Sequence, residues 1–211
     1  MTTLGDLRLR ILRMLDDPEG GGYPNELLFD GMCAALDAIL PWVPKTAITT
    51  LACDGTLTAF ALPDDLYDIE SLVAYNGEVL PRISLSPGNF LGVNAPNPYS
   101  WLEYPAGSVS FGKAPPDAVT LYYLAYWDKP ETYDANFVLT TPGYAIHGLA
   151  LYSMAYALNP AAVGVAEINP YKTKVDSGTP EHNPLQRSVT FILEAFTREM
   201  NRHPKHMRAV K

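Results

Sequence analysis

The chain is poor in the residue types that catalysis and metal binding most often use. It holds two cysteines and four histidines in 211 residues. Cys33 falls inside a helical pattern and Cys53 just before a turn, with no Cys-x-x-Cys spacing. The sequence therefore predicts free thiols and excludes a disulfide scaffold. No apolar run approaches the roughly 20 residues that a membrane-spanning helix needs. Asp6, Arg8, Arg10 and Arg13 interrupt any signal-peptide core. The expectation is a soluble protein made in the cytoplasm, with no membrane partner.

Catalytic constellations are missing as well. There is no Gly-x-Ser-x-Gly elbow, no His-Glu-x-x-His pair and no dinucleotide fingerprint. Gly20, Gly21 and Gly22 are not followed by Gly-Lys-Ser/Thr, which makes them a linker rather than a phosphate loop. His203 and His206 are separated by Pro204, which spoils a helical ligand pair. Asp64, Asp65, Asp68 and Glu70 lack the spacing of a calcium loop and read as solvated acids. His147 sits in an apolar helical run and reads as a hydrogen-bonded core histidine. The sequence predicts no catalytic residue, no metal ligand and no cofactor.

What the chain does contain is an apolar majority, broken often. Hydrophobic residues make up 47% against 18% charged, enough for a real core, while 19 prolines and 15 glycines demand many turns and short elements. Charge is unevenly placed. From Arg198 to Lys211 five Lys or Arg face Glu199 alone, +4 in sum, so a formal −8 for the whole chain leaves −12 on residues 1–197. An acidic body with a short basic segment is not the basic face of a nucleic-acid-binding domain. It is the pattern of a body with an anchoring tail.

The periodicity changes twice along the chain. Leu4, Leu7, Ile11, Met14 and Leu15 form a helical stripe, with Thr3 as cap and Asp6 at the third position. Asp16-Asp17-Pro18 and the glycines predict a flexible link to a second helix over about Asn25–Leu40, stopped by Pro41, and the two helices are expected to pair antiparallel. From about Thr46 to Lys129 the pattern is β, with strand-like runs at Ala47–Ala52, Leu57–Leu62, Tyr67–Tyr75, Val79–Leu85, Tyr99–Tyr104, Ser108–Phe111 and Val119–Trp127. Ser86–Pro98 reads as an exposed loop. Thr141 as cap and Pro142 at the first helical position then predict a buried helix to about Leu158. A last helix from Asn183-Pro184 has the stripe Leu185, Val189, Ile192, Phe196 and Met200, and Pro204 ends it.

The sharpest local signal is Phe60–Leu80. Asn76-Gly77 between β-rich runs predicts a two-residue type I′ hairpin, with positive φ at both positions. Tyr67, Ile69, Val73 and Tyr75 are expected on one face of its first strand, and Pro81 restricts the return strand to a sheet edge or an interrupted ladder. The run Val119–Trp127 is apolar on both faces, which calls for cover on both sides.

The predicted class is α+β: a small bundle of two N-terminal and two C-terminal helices with a β-rich insertion and an extended basic tail. Its segments are 1–45, 46–129, 130–201 and the docking tail 202–211. In this order, NELLFDGMCAALDAIL, LPDDLYDIESLVAYNGEVL, APPDAVTLYYLAYW and TTPGYAIHGLALYSMAYAL resemble the head-to-tail adaptor (connector) proteins of tailed bacteriophages. The resemblance implies a structural virion protein, not an enzyme, assembled with copies of itself as a ring, a dodecamer in that family, below the portal. It implies portal protein and tail or nozzle proteins as partners, and packaged DNA passing through the channel without specific binding. An acidic body suits such a channel, since like charge suppresses binding by counterion release. Pro160–His182 is more broken than the helical linker that family leads one to expect. Arg202, Lys205, Arg208 and Lys211 become the expected portal-docking residues. Tyr67, Tyr75, Asn76, Gly77, Tyr122 and Trp127 become the expected hairpin or subunit-contact residues. The 13 tyrosines and three tryptophans leave open a β-rich ligand- or glycan-binding module, with an enzyme the remaining alternative.

Overall fold

The computed structural model describes residues 1–83, 97–104, 107–158 and 184–203. The chain divides into two units, Met1–Pro44 with Trp127–Lys211, and Lys45–Tyr126. Among the described residues the class is α+β, with four α-helices and seven strands in antiparallel sheets.

The helical unit holds α1 (Leu4–Met14), α2 (Asn25–Ala38), α3 (Ile146–Leu158) and α4 (Pro184–Met200). α1 starts with the reciprocal cap its sequence predicts. The Asp6 amide donates to Thr3 Oγ1 at 3.1 Å, and the Thr3 amide donates to the Asp6 carboxylate at 2.9 Å. Two further first-turn amides, Leu4 and Gly5, donate to the carbonyls of Phe137 and Ala135 at 2.9 and 3.0 Å. Donors that a helix start would otherwise leave orphaned are thereby satisfied. Gly5 permits the approach, since a Cβ there would lie 2.9 Å from the Ala135 carbonyl oxygen.

The Asp17 carboxylate accepts hydrogen bonds from the Gly21 and Gly22 amides at 3.2 and 2.8 Å, which folds the glycine link after α1 against the helix end. In the helical unit Arg8 of α1 donates to the Asn25 side chain at the start of α2 at 2.8 Å, and α1, α2 and α4 each pack on α3. The cause lies in α3, IHGLALYSMAYAL, which is apolar around its whole circumference and therefore needs cover on every side. On α4 the predicted stripe is buried at Val189, Ile192, Phe196 and Met200.

The start of α3 corrects the predicted cap. Pro142 is extended (φ −57°, ψ 143°), and a 3-10 turn, Gly143–Ala145, precedes the α-helix. Thr141 is thus too far back to reach the helical amides, and its buried Oγ1 has no hydrogen-bond partner among the described residues.

The β unit contains β1 (Lys45–Leu51), β2 (Ala59–Ala61), β3 (Leu66–Val73), β4 (Val79–Leu80), β5 (Trp101–Tyr104), β6 (Ser108–Phe111) and β7 (Val119–Ala125). They form a four-stranded sheet in the order β1-β7-β3-β4 and a three-stranded sheet in the order β2-β6-β5. One apolar cluster joins the sheets: Ile69, Leu72, Leu80, Leu121 and Tyr123 from the first, Trp101, Val109 and Phe111 from the second. The buried Trp101 indole N–H donates to the Leu80 carbonyl at 2.9 Å. Pro81 follows directly on β4, at the sheet edge, where a missing N–H costs no ladder bond.

The hairpin turn is of another kind than predicted. The Gly77 amide donates to the Ala74 carbonyl at 2.9 Å and the Ala74 amide to Glu78 at 2.8 Å, so three residues, Tyr75, Asn76 and Gly77, form the loop. Only Gly77 is left-handed (φ 84°); Asn76 is not, and its side-chain oxygen accepts from the Glu78 amide at 3.0 Å. This is a turn with a glycine bulge, in which the asparagine supplies a hydrogen bond rather than positive φ. The expected common face of Tyr67, Ile69, Val73 and Tyr75 is broken too. Register shifts between Leu66 and Asp68 and between Ile69 and Ser71 turn Ile69 and Leu72, three residues apart, to the core. Of the expected exposed loop Ser86–Pro98, residues 86–96 lie outside the described residues.

Two expectations follow for stability. Thr3 holds the Asp6 carboxyl below its ordinary value of 3.8 through hydrogen bonds to its backbone and hydroxyl. A lowered folded value means that this stabilisation is present above pH 3.8 and lost as pH falls through the folded value. A Thr3→Ala variant should show a weaker acid dependence of unfolding in that window, read by circular dichroism. At Gly77 a Cβ meets nothing within 4 Å, so Gly77→Val isolates the backbone cost of positive φ. It should lose more than about 1 kcal/mol in urea unfolding.

Candidate interaction surfaces

Register defines the outer face of the four-stranded sheet. Ile48 on β1 is opposite Tyr122 on β7, which in turn is opposite Ser71 on β3; Thr50, Thr120, Val73 and Val79 form the next row. Ile48 is 65% exposed and Val79 63%. Beyond the strand end, Tyr126 meets Tyr67 edge to face with ring centroids 5.5 Å apart. Tyr75, at the hairpin tip, is 84% exposed. These two rows carry aliphatic, aromatic and hydroxyl side chains and no charge; the next row on the same face holds Thr46, Leu124 and Asp68, which brings one carboxylate to its margin.

The structure thus gathers Tyr67 and Tyr122 on this face, with Tyr75, Asn76 and Gly77 at the adjoining hairpin tip. Trp127 is elsewhere. It lies past the end of β7 in the helical unit, buried, with its indole N–H donating to the Val43 carbonyl at 2.8 Å. Its contacts are those of a core residue. Ile48 and Val79 carry no distinguishing mark in the sequence. In KTAITTL both alternating sets mix apolar and polar residues, Lys45, Ala47, Thr49 and Leu51 against Thr46, Ile48 and Thr50, so the exposed set becomes visible only once β1 is paired with β7.

Of the basic residues, Arg202 is described and Lys205, Arg208 and Lys211 lie outside the described residues. The Arg202 guanidinium pairs with Glu199 one turn back at 2.5 Å. On the helical unit a cleft of about 1270 Å³ has Trp42, Tyr152, Leu193 and Phe196 in its walls, with Asp37 and Arg198 among the charged groups lining it.

The residues weighed for chemistry are placed as follows. Arg10 Nη2 lies 3.1 Å from His147 Nδ1, which makes that nitrogen the acceptor. Asp65 accepts from the Tyr123 hydroxyl at 3.1 Å; burial and this bond together push the phenol up. Asp68 accepts from the Ile69 amide at 2.9 Å. Among the described residues no three His, Cys, Asp or Glu side chains come together as metal ligands, and no helix is long and apolar enough to cross a membrane. Cys33 and Cys53 are free, and burial pushes both thiols up, away from the reactive thiolate.

The β unit is thus inserted between helices, with α1 and α2 before it and α3 and α4 after it in sequence. The family model of the SU10 adaptor protein matches residues 2–182, which span the β unit and three of the four described helices, and the chain belongs to that family. Membership makes it a phage structural adaptor, a component of the virion that interacts with other head and tail proteins. No curated protein matches the chain.

If the outer face is a contact surface, its loss should separate from folding. Ile48→Lys with Val79→Lys changes two exposed positions and should shift stability by no more than about 0.5 kcal/mol each. Association with other virion proteins in a pull-down should fall sharply. Unchanged association would remove this face from consideration.

Proposed function

We propose that the protein forms an adaptor ring between the portal and the tail of a tailed phage, lining a channel for DNA and providing the seat for tail or nozzle proteins. The observation that carries this reading is the family match across residues 2–182. The role is structural and uses no catalytic group. A ring closes when each copy offers two different patches that meet head to tail, and the uncharged central rows of the sheet's outer face suit one of them. Those rows can approach a second acidic copy without bringing like charges together, whereas residues 1–197 as a whole hold the −12 that keeps DNA from sticking to the channel.

Attachment to the portal is assigned to residues 202–211. These follow α4, lie beyond the family-matched residues, and concentrate positive charge on an otherwise acidic chain. Single exposed ion pairs contribute only about 0.2–1 kcal/mol, but identical tails acting from every copy of a ring multiply that small term. Arg202 contributes less than Lys205, Arg208 and Lys211, since Glu199 already pairs with it.

Electron microscopy of the protein mixed with its portal tests the reading. Rings are expected on the portal end and not in dilute protein alone, because ordering loops and tail is offset best when a template offers many contacts at once. Deleting residues 202–211 should leave the thermal transition unchanged and abolish attachment. Rings or complexes never forming with the portal would overturn the adaptor-ring reading, and normal attachment of the truncated protein would overturn the docking role of the tail.

A further inference from the structure

The end of α4 is held more firmly than a helix end requires. The last carbonyls of a helix have no partners of their own, and such ends open first. Here the amides of Asn201, Arg202 and His203 donate back to Thr197, Glu199 and Met200 at 2.9, 3.1 and 3.1 Å. Two aromatic side chains from outside the helix then grip the same residues. Trp42, in the turn after α2, donates its indole N–H to Asn201 Oδ1 at 3.1 Å, and its ring meets Phe196 edge to face at 5.7 Å. Tyr144, in the 3-10 turn before α3, stacks on the His203 imidazole with centroids 4.1 Å apart and planes at 28°.

We infer that Trp42 and Tyr144 form a clamp on the end of α4 that fixes where the basic segment leaves the helical unit, and that both are positioning residues for its docking. The inference rests on the portal-docking reading above. Tyr144 remains about half exposed, so its stacking on His203 adds little to the core and its effect falls mainly on the helix end. Pro204 comes next in sequence and cannot continue the helix. With His203 anchored, Lys205 starts two residues from a fixed point. A segment launched from a fixed origin has fewer conformations to lose on binding, which raises affinity without adding a contact. Arg202 serves the clamp side of this division, folded back on Glu199, and the three lysine and arginine residues beyond it serve the partner.

The test uses the full chain and the portal protein from the same virion. Tyr144→Ala and His203→Ala remove the stack from opposite sides, and Asn201→Ala removes the indole's acceptor. Hydrogen exchange at residues 201–203 should quicken by about tenfold or more in each, while exchange in α2 and α3 stays as in the parent. Portal affinity should fall by about tenfold, and Tyr144→Phe, which keeps the ring, should restore both readouts. If Tyr144→Ala disturbs the whole helical unit, His203→Ala, in the chain's last described turn, decides. Faster exchange with parent-like portal affinity, while deletion of 202–211 abolishes binding, would overturn the clamp's positioning role and leave the docking reading intact. Parent-like binding by the deletion variant would overturn the docking reading and with it this inference.

Discussion

The burial of α3 is the constraint from which the helical unit follows. A helix apolar on all sides cannot lie on a surface, so three other helices must close around it, and each has to approach closely enough to exclude water. Two glycines set the closest of these approaches. A Cβ at Gly31 of α2 would lie 3.2 Å from the Ser153 carbonyl oxygen, and one at Gly148 of α3 would lie 2.5 Å from Met200 Sδ. The hydroxyl of Ser153, fully buried, lies 2.7 Å from the Leu149 carbonyl and 3.2 Å from that of Gly31, so a polar atom crosses the interface with its partners supplied by backbone. Each fully buried Leu or Ile in this cluster contributes on the order of 1.5–3 kcal/mol, and α3 is the element that all of the others share.

Much of this was legible in the sequence because it depends on local pattern. Thr3 and Asp6 announce a cap that needs nothing but the neighbouring turn, and the α4 stripe of Val189, Ile192, Phe196 and Met200 is read off a 3.6-residue period. What escaped depends on partners remote in sequence. The packing of α1 on α3, the hydrogen bonds from α1 to Ala135 and Phe137, and the closing of the glycine link by Asp17 are decided by residues far away or by loop geometry. The hairpin shows the same limit on a smaller scale. Asn-Gly fits either a two-residue turn or a three-residue loop with a bulge, and the register between Val73 and Val79, set by the sheet's core face, selects the second. The candidate surface was partly legible. Tyr67, Tyr75 and Tyr122 stood out as aromatics on strands, whereas Ile48 needed the β1–β7 register, and Trp127 looked like the last residue of a strand when it is the first of the helical unit.

Charge and apolarity are separated in this chain. Acids outnumber cations over residues 1–197, net positive charge is confined to 198–211, and the central rows of the outer sheet face carry neither sign. Under the ring reading proposed above, association between proteins draws on apolar area and indifference toward DNA on like charge.

The β unit enters and leaves through one narrow stem. Lys45, its first residue, is the ladder partner of Ala125, one residue short of its last. On the other side of the stem the Trp127 indole holds the Val43 carbonyl at 2.8 Å. Entry and exit are therefore side by side and tied on both sides, so the helical unit sees the insertion as though it were a short turn. An insertion joined in this way can lengthen, shrink or be exchanged for another between Lys45 and Tyr126 while α1 to α4 keep their packing, because closing the stem fixes the ends of whatever lies between.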